Sequence, residues 1–114
     1  MKISYEGIGQ WAATFGCAGV AEGQMVKAAA DDTVAACDAG DVFCGAVISV
    51  GHAGDACSVA LGGLVTACYT GTAPAIGYAS LSADGLGGVQ CDAGGRSYLV
   101  IHVDSAAKTV TFAL

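Results

Sequence analysis

The feature that most constrains this fold is a period of two in the apolar residues, broken by turn residues about every eight to twelve positions. The clearest stretch is 109–114, where valine, phenylalanine and leucine alternate with threonine and alanine. A β-rich segment at 97–103 precedes it, and the polar residues 104–108 join the two as a turn. The sequence therefore predicts a β-hairpin over these residues.

Similar patterns predict further strands at 42–50, 56–61, 64–69, 78–81 and 88–91. Segments 25–29 and 33–36 flank Asp31-Asp32, which favours a second hairpin. Because alanine is the best helix former, 28–37 could instead be a helix. We favour the hairpin, since Val34 is the only large apolar residue there that could anchor a helical face. We expect an all-β fold: a small single domain of short antiparallel strands.

The composition argues against several classes of protein. The 114 residues suit one domain, and 54% hydrophobic with only 12% charged residues excludes a disordered chain. A net charge of −6 with four cations argues against nucleic acid as a partner, because no basic stripe can form. No apolar run is long enough to span a membrane, and residues 1–6 lack the apolar run of a secretory signal. A surface of small residues with so few charges is typical of a subunit in an assembly.

The six cysteines leave three interpretations open. They are Cys17, Cys37, Cys44, Cys57, Cys68 and Cys91. Cys57 is in phase with Val59 and Leu61, and Cys44 is in phase with Ile48, which favours reduced thiols that serve as small core residues. Three disulfides would suit a secreted domain, whereas a metal site has little support because no C-x-x-C pair occurs.

The N-terminal segment differs from the rest of the chain. It contains Tyr5, Trp11 and Phe15, three of the eight aromatic residues, and little strand alternation before Trp11. It could pack onto the barrel, or it could be an arm that adds a strand to the exposed edge of a neighbouring subunit. We therefore divide the chain into an N-terminal arm at 1–15 and a barrel-like domain at 16–114.

A search for catalytic or cofactor motifs gives nothing above background. Residues 7–12 match G-x-G-x-x-A, but the strand–helix frame that a dinucleotide site needs is missing from the pattern. His102 is expected to share a strand face with Tyr98 and Val100 as a partly buried structural histidine, and His52 to be a solvated turn residue. Nearly all aspartates stand beside glycine, alanine or serine, as turn residues do. We predict no catalytic, cofactor-binding or metal-binding residues.

Several segments, read in order, resemble one family. These are 39–45 leading into 47–50, then 59–63, Ala73-Pro74 with Gly77-Tyr78, 83–85 with Gly88-Val89, and finally 98–100 and 109–114. Their glycine turns and strand rhythm resemble the small head decoration, or capsid-stabilising, proteins of tailed bacteriophages. The resemblance covers roughly residues 20–114, and the six cysteines depart from it.

The resemblance implies a β-barrel or β-tulip domain on the exterior of a virion, made in the bacterial host cytoplasm. It would bind the major capsid protein and copies of itself, as a trimer around a local symmetry axis. In that position it would clamp neighbouring capsid subunits after the shell expands around its DNA. No cofactor, membrane or direct nucleic-acid contact is implied. Because Trp and Tyr dominate interface hot spots, Tyr5, Trp11 and Phe15 are the candidate capsid or subunit contacts.

Two other classes of function remain as alternatives. One is a secreted or surface β-module, stabilised by three disulfides, that binds a ligand or partner protein. The other is a small β-barrel enzyme whose cleft gathers His52 or His102 with aspartates. Oxidised cysteines would favour the first, and such a cleft would favour the second.

Overall fold

The computed structural model describes residues 10–114, and this part of the chain is built from ten β-strands in two small closed sheets. The all-β prediction is confirmed. The first sheet, which we call barrel A, contains Trp11–Gly16 (β1), Met25–Ala30 (β2), Thr33–Ala36 (β3), Gly45–Val50 (β4) and Ala56–Gly62 (β5). The second, barrel B, contains Leu64–Thr70 (β6), Gly77–Ala83 (β7), Val89–Cys91 (β8), Arg96–Asp104 (β9) and Thr109–Ala113 (β10). Only Gly63 separates the two barrels along the chain.

Strand pairing is antiparallel except at two short contacts. The order in barrel A is β1-β3-β2-β4-β5, and the order in barrel B is β10-β6-β8-β7-β9. The parallel contacts are β1 with β3, a single residue pair, and β6 with β8. Both predicted hairpins are present, so 28–37 is not a helix. Asp32 turns the β2–β3 hairpin with a positive φ of 54°, a conformation that aspartate tolerates better than most residues.

A bulge in β9 corrects the prediction for His102. Thr111 of β10 pairs with His102, whereas the next residue, Phe112, pairs with Val100, so β9 contains one extra residue. The alternation therefore changes phase. Val100 remains buried, but His102 is exposed instead of sharing the buried face.

The main core is filled by aromatic residues and joins both barrels. Phe43 stacks on Tyr98 with ring centroids 5.0 Å apart, and Phe112 packs edge-on against Tyr98 at 5.3 Å. Phe43 precedes β4 of barrel A, yet its ring lies among residues of barrel B. Met25 of β2 belongs to the same cluster. The two sheets therefore bury one continuous core.

Barrel A also has a smaller core of its own. Its buried members are short side chains, namely Cys17, Val26, Val34, Val47, Cys57 and Val59. Phe15 packs against this cluster from β1. Five residues of the predicted arm, 11–15, thus belong to a strand that pairs antiparallel with β5, and the boundary placed at residue 15 lies inside β1.

The cysteines occupy three kinds of environment. All six are free; Cys17, Cys37 and Cys57 are buried, Cys44 is half-buried, and Cys68 and Cys91 are exposed. The core position predicted for Cys57 is confirmed, whereas a core role is wrong for the two exposed thiols. The phase predicted from Cys44 also fails at Ile48, which is exposed because a bulge shifts β4 between Val47 and Ser49.

Candidate interface

The most distinctive surface feature is a row of apolar residues across the outer face of barrel B. Tyr78 lies directly opposite Leu99, Leu99 opposite Ala113, and Ala113 opposite Leu64. Directly opposed residues on neighbouring strands share a face of the sheet. We call Leu64, Tyr78, Leu99 and Ala113 the apolar row. It crosses four strands, in the order β7, β9, β10 and β6, and its members extend from residue 64 to residue 113.

The row faces outwards because its neighbours along each strand face inwards. Val65, Val100 and Phe112, which adjoin row members, are all buried in the main core. Tyr78 is 78% exposed, and the other three row residues are half-buried. No member carries a charge. The charged residues of β9, Arg96 and Asp104, are its first and last residues, so the middle of this face is uncharged.

Trp11 is attached beside the Leu64 end of the row. The side-chain amide of Gln10 donates a hydrogen bond to the carbonyl oxygen of Leu64 at 3.2 Å, which places the start of β1 next to β6. Trp11 pairs with Gly62, and its indole occupies the space where a side chain at residue 62 would lie. A Cβ at residue 62 would come 2.0 Å from the indole Nε1. Glycine is therefore required for this placement of the tryptophan, which is still 62% exposed.

The three residues predicted as interface contacts do not share one location. Tyr5 lies outside the described residues. Trp11 is exposed next to the apolar row, and its role as a contact stays a prediction. Phe15 instead packs against the small core of barrel A, where it contributes to the fold.

The sequence alone did not predict the apolar row. Tyr78 and Leu99 fall in predicted strands, and Leu99 stands between two residues of the opposite face, Tyr98 and Val100. That alternation was a usable signal for an outward-facing leucine. Alternation within one strand does not determine which strands lie side by side. It therefore could not predict that these residues form a single surface.

A second surface feature is a groove of about 310 Å³ between the barrels. Gln24 lines it from the segment before β2, Thr66 and Cys68 from β6, and Leu86 from the loop before β8. Among residues 10–114, Glu22 is its one charged lining residue, so the described lining brings no catalytic pair together.

The polar groups of the described residues serve local structure. Asp84, which is buried, accepts hydrogen bonds from the backbone N–H groups of Leu86 and Gly88 and so shapes the turn before β8. Asp92 accepts from Gly94 N–H and the Ser82 hydroxyl, and these bonds lower the pKa of its carboxyl. These are turn roles of the kind predicted for the aspartates.

The strongest charge contact joins the loop before β4 to β2. The Lys27 ammonium donates to Asp41 Oδ2 at 2.6 Å and stands 3.7 Å from Asp38. This hydrogen bond holds the pKa of Asp41 below its usual range, and the N–H of Asp38 adds to the effect. The pair fixes the loop that carries Phe43.

The two histidines lie on separate exposed parts of the surface. His52 lies on the exposed turn between β4 and β5, and His102 lies on the exposed face of β9. Within residues 10–114 no cluster of three or more His, Cys, Asp or Glu side chains could hold a metal ion. The same residues include no helix with the length and apolar character needed to cross a membrane.

Comparisons with known proteins do not place the chain in a family: no family model, curated protein or solved structure matches it.

Proposed function

We propose that this chain is a structural protein of a bacteriophage virion, which binds the outside of the capsid and stabilises the expanded, DNA-filled head. It does so by contacting neighbouring capsid subunits, not by catalysis. The class of partner comes from the sequence resemblance to head decoration proteins. The observation that carries the binding role is the uncharged apolar row with Trp11 beside it.

The row has the chemistry of a protein-binding surface. Exposed apolar residues that are contiguous mark interaction sites more often than scattered ones do. Aromatic residues are enriched at such sites and charged residues are depleted, and Tyr78 and Trp11 fit this composition. Because the row lies on the outer face of the sheet, the contact leaves the interior free to be filled by the core. We therefore assign the capsid contact to the row and Trp11.

Copies of the chain would reinforce this contact. A ring of three subunits around a local symmetry axis presents the row three times, and simultaneous attachment increases the total affinity without a stronger single contact. The small, weakly charged surface residues suit burial between copies. In this proposal the partners are the major capsid protein and the chain itself.

The first experiment asks whether the chain is part of the particle. Virions purified from the source culture are analysed by intact mass spectrometry without reductant. The expected result is the chain in high copy number on particles. Its absence from particles, together with a disulfide-bonded form in the culture medium, would contradict the proposal and support a secreted β-module.

The second experiment tests the surface. Tagged chain is added to particles assembled without it, and the bound fraction is measured after sedimentation. Tyr78→Ser is expected to reduce the affinity about ten-fold or more, the loss typical of an interface anchor. The matched control is Leu86→Ser, which removes an apolar residue of similar exposure (81%) from outside the row. Equal binding by both variants would show that the row is not the contact.

A further inference from the structure

Two of the six cysteines are placed together at the end of β1. Cys57 of β5 pairs with Phe15, and the backbone N–H of Cys17 donates to the carbonyl oxygen of Asp55 at 3.1 Å. Because alternate residues share a face, Cys17 and Phe15 point to the same side of the sheet. Cys17 is thus the diagonal neighbour of Cys57. The two residues belong to the same apolar cluster.

Both side chains are buried in that cluster. Cys17 is 8% exposed and Cys57 is 2% exposed, and the Cys17 thiol donates to the carbonyl oxygen of Gly54, in the turn before β5, at 3.9 Å. Burial raises the pKa of Cys57 to about 11, and the neighbouring Cys17 thiol adds to this shift. Cys17 is the more accessible of the two, since it lies just after the end of β1 and is followed by exposed Ala18 and Gly19.

The other four cysteines lack this arrangement. Cys37 packs in the main core, whereas Cys44 packs against the small core of barrel A, so these two face different clusters. Cys68 and Cys91 are exposed, on β6 and β8. Within the described residues, the Cys17–Cys57 pair is therefore the one placed for intramolecular chemistry.

We propose that Cys17 and Cys57 form a redox-active dithiol, which a soluble disulfide such as glutathione disulfide converts into an intrachain disulfide. This inference is independent of the proposed function. It also differs from a three-disulfide framework, because it involves one pair and leaves the other four thiols reduced.

The reaction balances as two thiol–disulfide exchanges. The Cys17 thiol loses its proton to solvent, and its sulfur attacks one sulfur of glutathione disulfide, which breaks the S–S bond and releases one glutathione thiolate. The Cys57 thiol then loses its proton and attacks the Cys17 sulfur, which expels the second glutathione thiolate. The protein loses two electrons and two protons, and the oxidant gains them as two molecules of glutathione. The high pKa of Cys57 predicts that the second exchange is the slower one.

The disulfide would stabilise barrel A beside the short contact between β1 and β3 that closes it. Gly16, which precedes Cys17, makes the single residue pair between β1 and β3, with its N–H donating to Asp32 at 2.8 Å. A covalent bond from Cys17 to β5 would hold the end of β1 in place beside this contact. We therefore expect oxidation to raise the midpoint of thermal unfolding.

The test uses the full chain with the exposed thiols removed, as Cys68→Ser with Cys91→Ser. The folded protein is incubated with glutathione disulfide, denatured, alkylated and cleaved before aspartate. This cleavage separates the remaining cysteines, because Cys17 falls in peptide 1–30, Cys37 in 32–37, Cys44 in 41–54 and Cys57 in 55–83. The expected result is a product about 2 Da lighter, with peptides 1–30 and 55–83 joined and with Cys37 and Cys44 alkylated.

Matched variants separate this pair from general thiol reactivity. Adding Cys57→Ala should abolish the joined peptide and leave a glutathione adduct on Cys17, whereas Cys37→Ala, at another buried position, should leave the joined peptide unchanged. Cys17→Ser provides a second loss variant if Cys57→Ala does not fold. In urea the linkage should scramble among all four cysteines. The proposal is overturned if Cys17 and Cys57 are both found alkylated after the folded protein has been incubated with glutathione disulfide, or if a different pair of cysteines is linked.

Discussion

The two barrels contain five strands each but are stabilised in different ways. Barrel B closes around Tyr98 and Phe112, together with Phe43 from the other barrel. The buried members of the small core in barrel A are all short side chains, and the closing contact between β1 and β3 is one residue pair. Since buried apolar area provides most of the stability, barrel B should contribute more of it. The shared core also means that barrel A depends on barrel B.

The largest loss in the free energy of unfolding is expected from replacing Phe43, whose ring connects the two barrels. Phe43→Ala removes a buried ring from the junction of the barrels, at an expected cost of ~3–5 kcal/mol in the free energy of unfolding. The matched change in the small core, Val34→Ala, should cost about 2 kcal/mol. Urea unfolding is followed by Trp11 fluorescence, which reports barrel A, and by far-UV circular dichroism, which reports both. Coincident transitions are expected; separate ones would show that the barrels fold independently.

A smaller effect is expected from adding one methyl group between β4 and β5. A Cβ at Gly45 would lie 2.1 Å from the carbonyl oxygen of Ala60, and backbone cannot easily move away. Gly45→Ala should therefore destabilise the protein by ~1–3 kcal/mol through overpacking. Gly51→Ala, in the same hairpin, is the control, because its nearest contact would be an ordinary 3.4 Å. Equal thermal midpoints for the two variants would contradict the close approach of these strands.

Sequence reasoning succeeded where the determining contacts are local. The β2–β3 and β9–β10 hairpins follow from alternation on both sides of a polar turn, and both signals lie within a few residues. It failed for β1, because Trp11 pairs with Gly62, about fifty residues away, and a segment of alanine and threonine has little pattern of its own. It also failed at bulges, since one extra residue in β9 reverses the face of His102 without any signature in the composition.

The same limit applies to the candidate interface. Trp11 was predicted as a contact from its residue type; the structure shows that it is exposed, and the contact itself stays a prediction. The apolar row depends on four strands being neighbours in the order β7-β9-β10-β6, and no local pattern determines that order. Likewise, the proximity of Cys17 and Cys57 depends on the register of β1 against β5.

The loss of stability at low pH should reveal the contributions of two carboxylates, Asp41 in barrel A and Asp92 in barrel B. Asp41 and Asp92 both have a pKa below the unfolded value of 3.8, so each stabilises the folded state above that pH and loses its contribution as the pH falls through its folded pKa. Asp41→Asn should flatten the decline of the thermal midpoint below about pH 4, and so should Lys27→Met, which removes the hydrogen-bond donor. Asp92→Asn should do so independently, because its donors are Gly94 and Ser82. An unchanged acid profile in all three variants would show that these contacts do not stabilise the fold.

The smallest effect is expected at the centre of barrel B. The Tyr98 hydroxyl is buried, and within residues 10–114 it has no hydrogen-bond partner, although the Arg96 guanidinium lies 5.6 Å from the ring centroid. Burial raises the pKa of this hydroxyl, so the group stays neutral. Tyr98→Phe keeps the ring that Phe43 and Phe112 contact and removes only an unsatisfied polar atom, so the free energy of unfolding should be unchanged or slightly higher, by up to about 1 kcal/mol. A loss of more than about 1 kcal/mol would mean that the hydroxyl is hydrogen-bonded in solution, and that barrel B is stabilised by a buried polar contact as well as by ring packing.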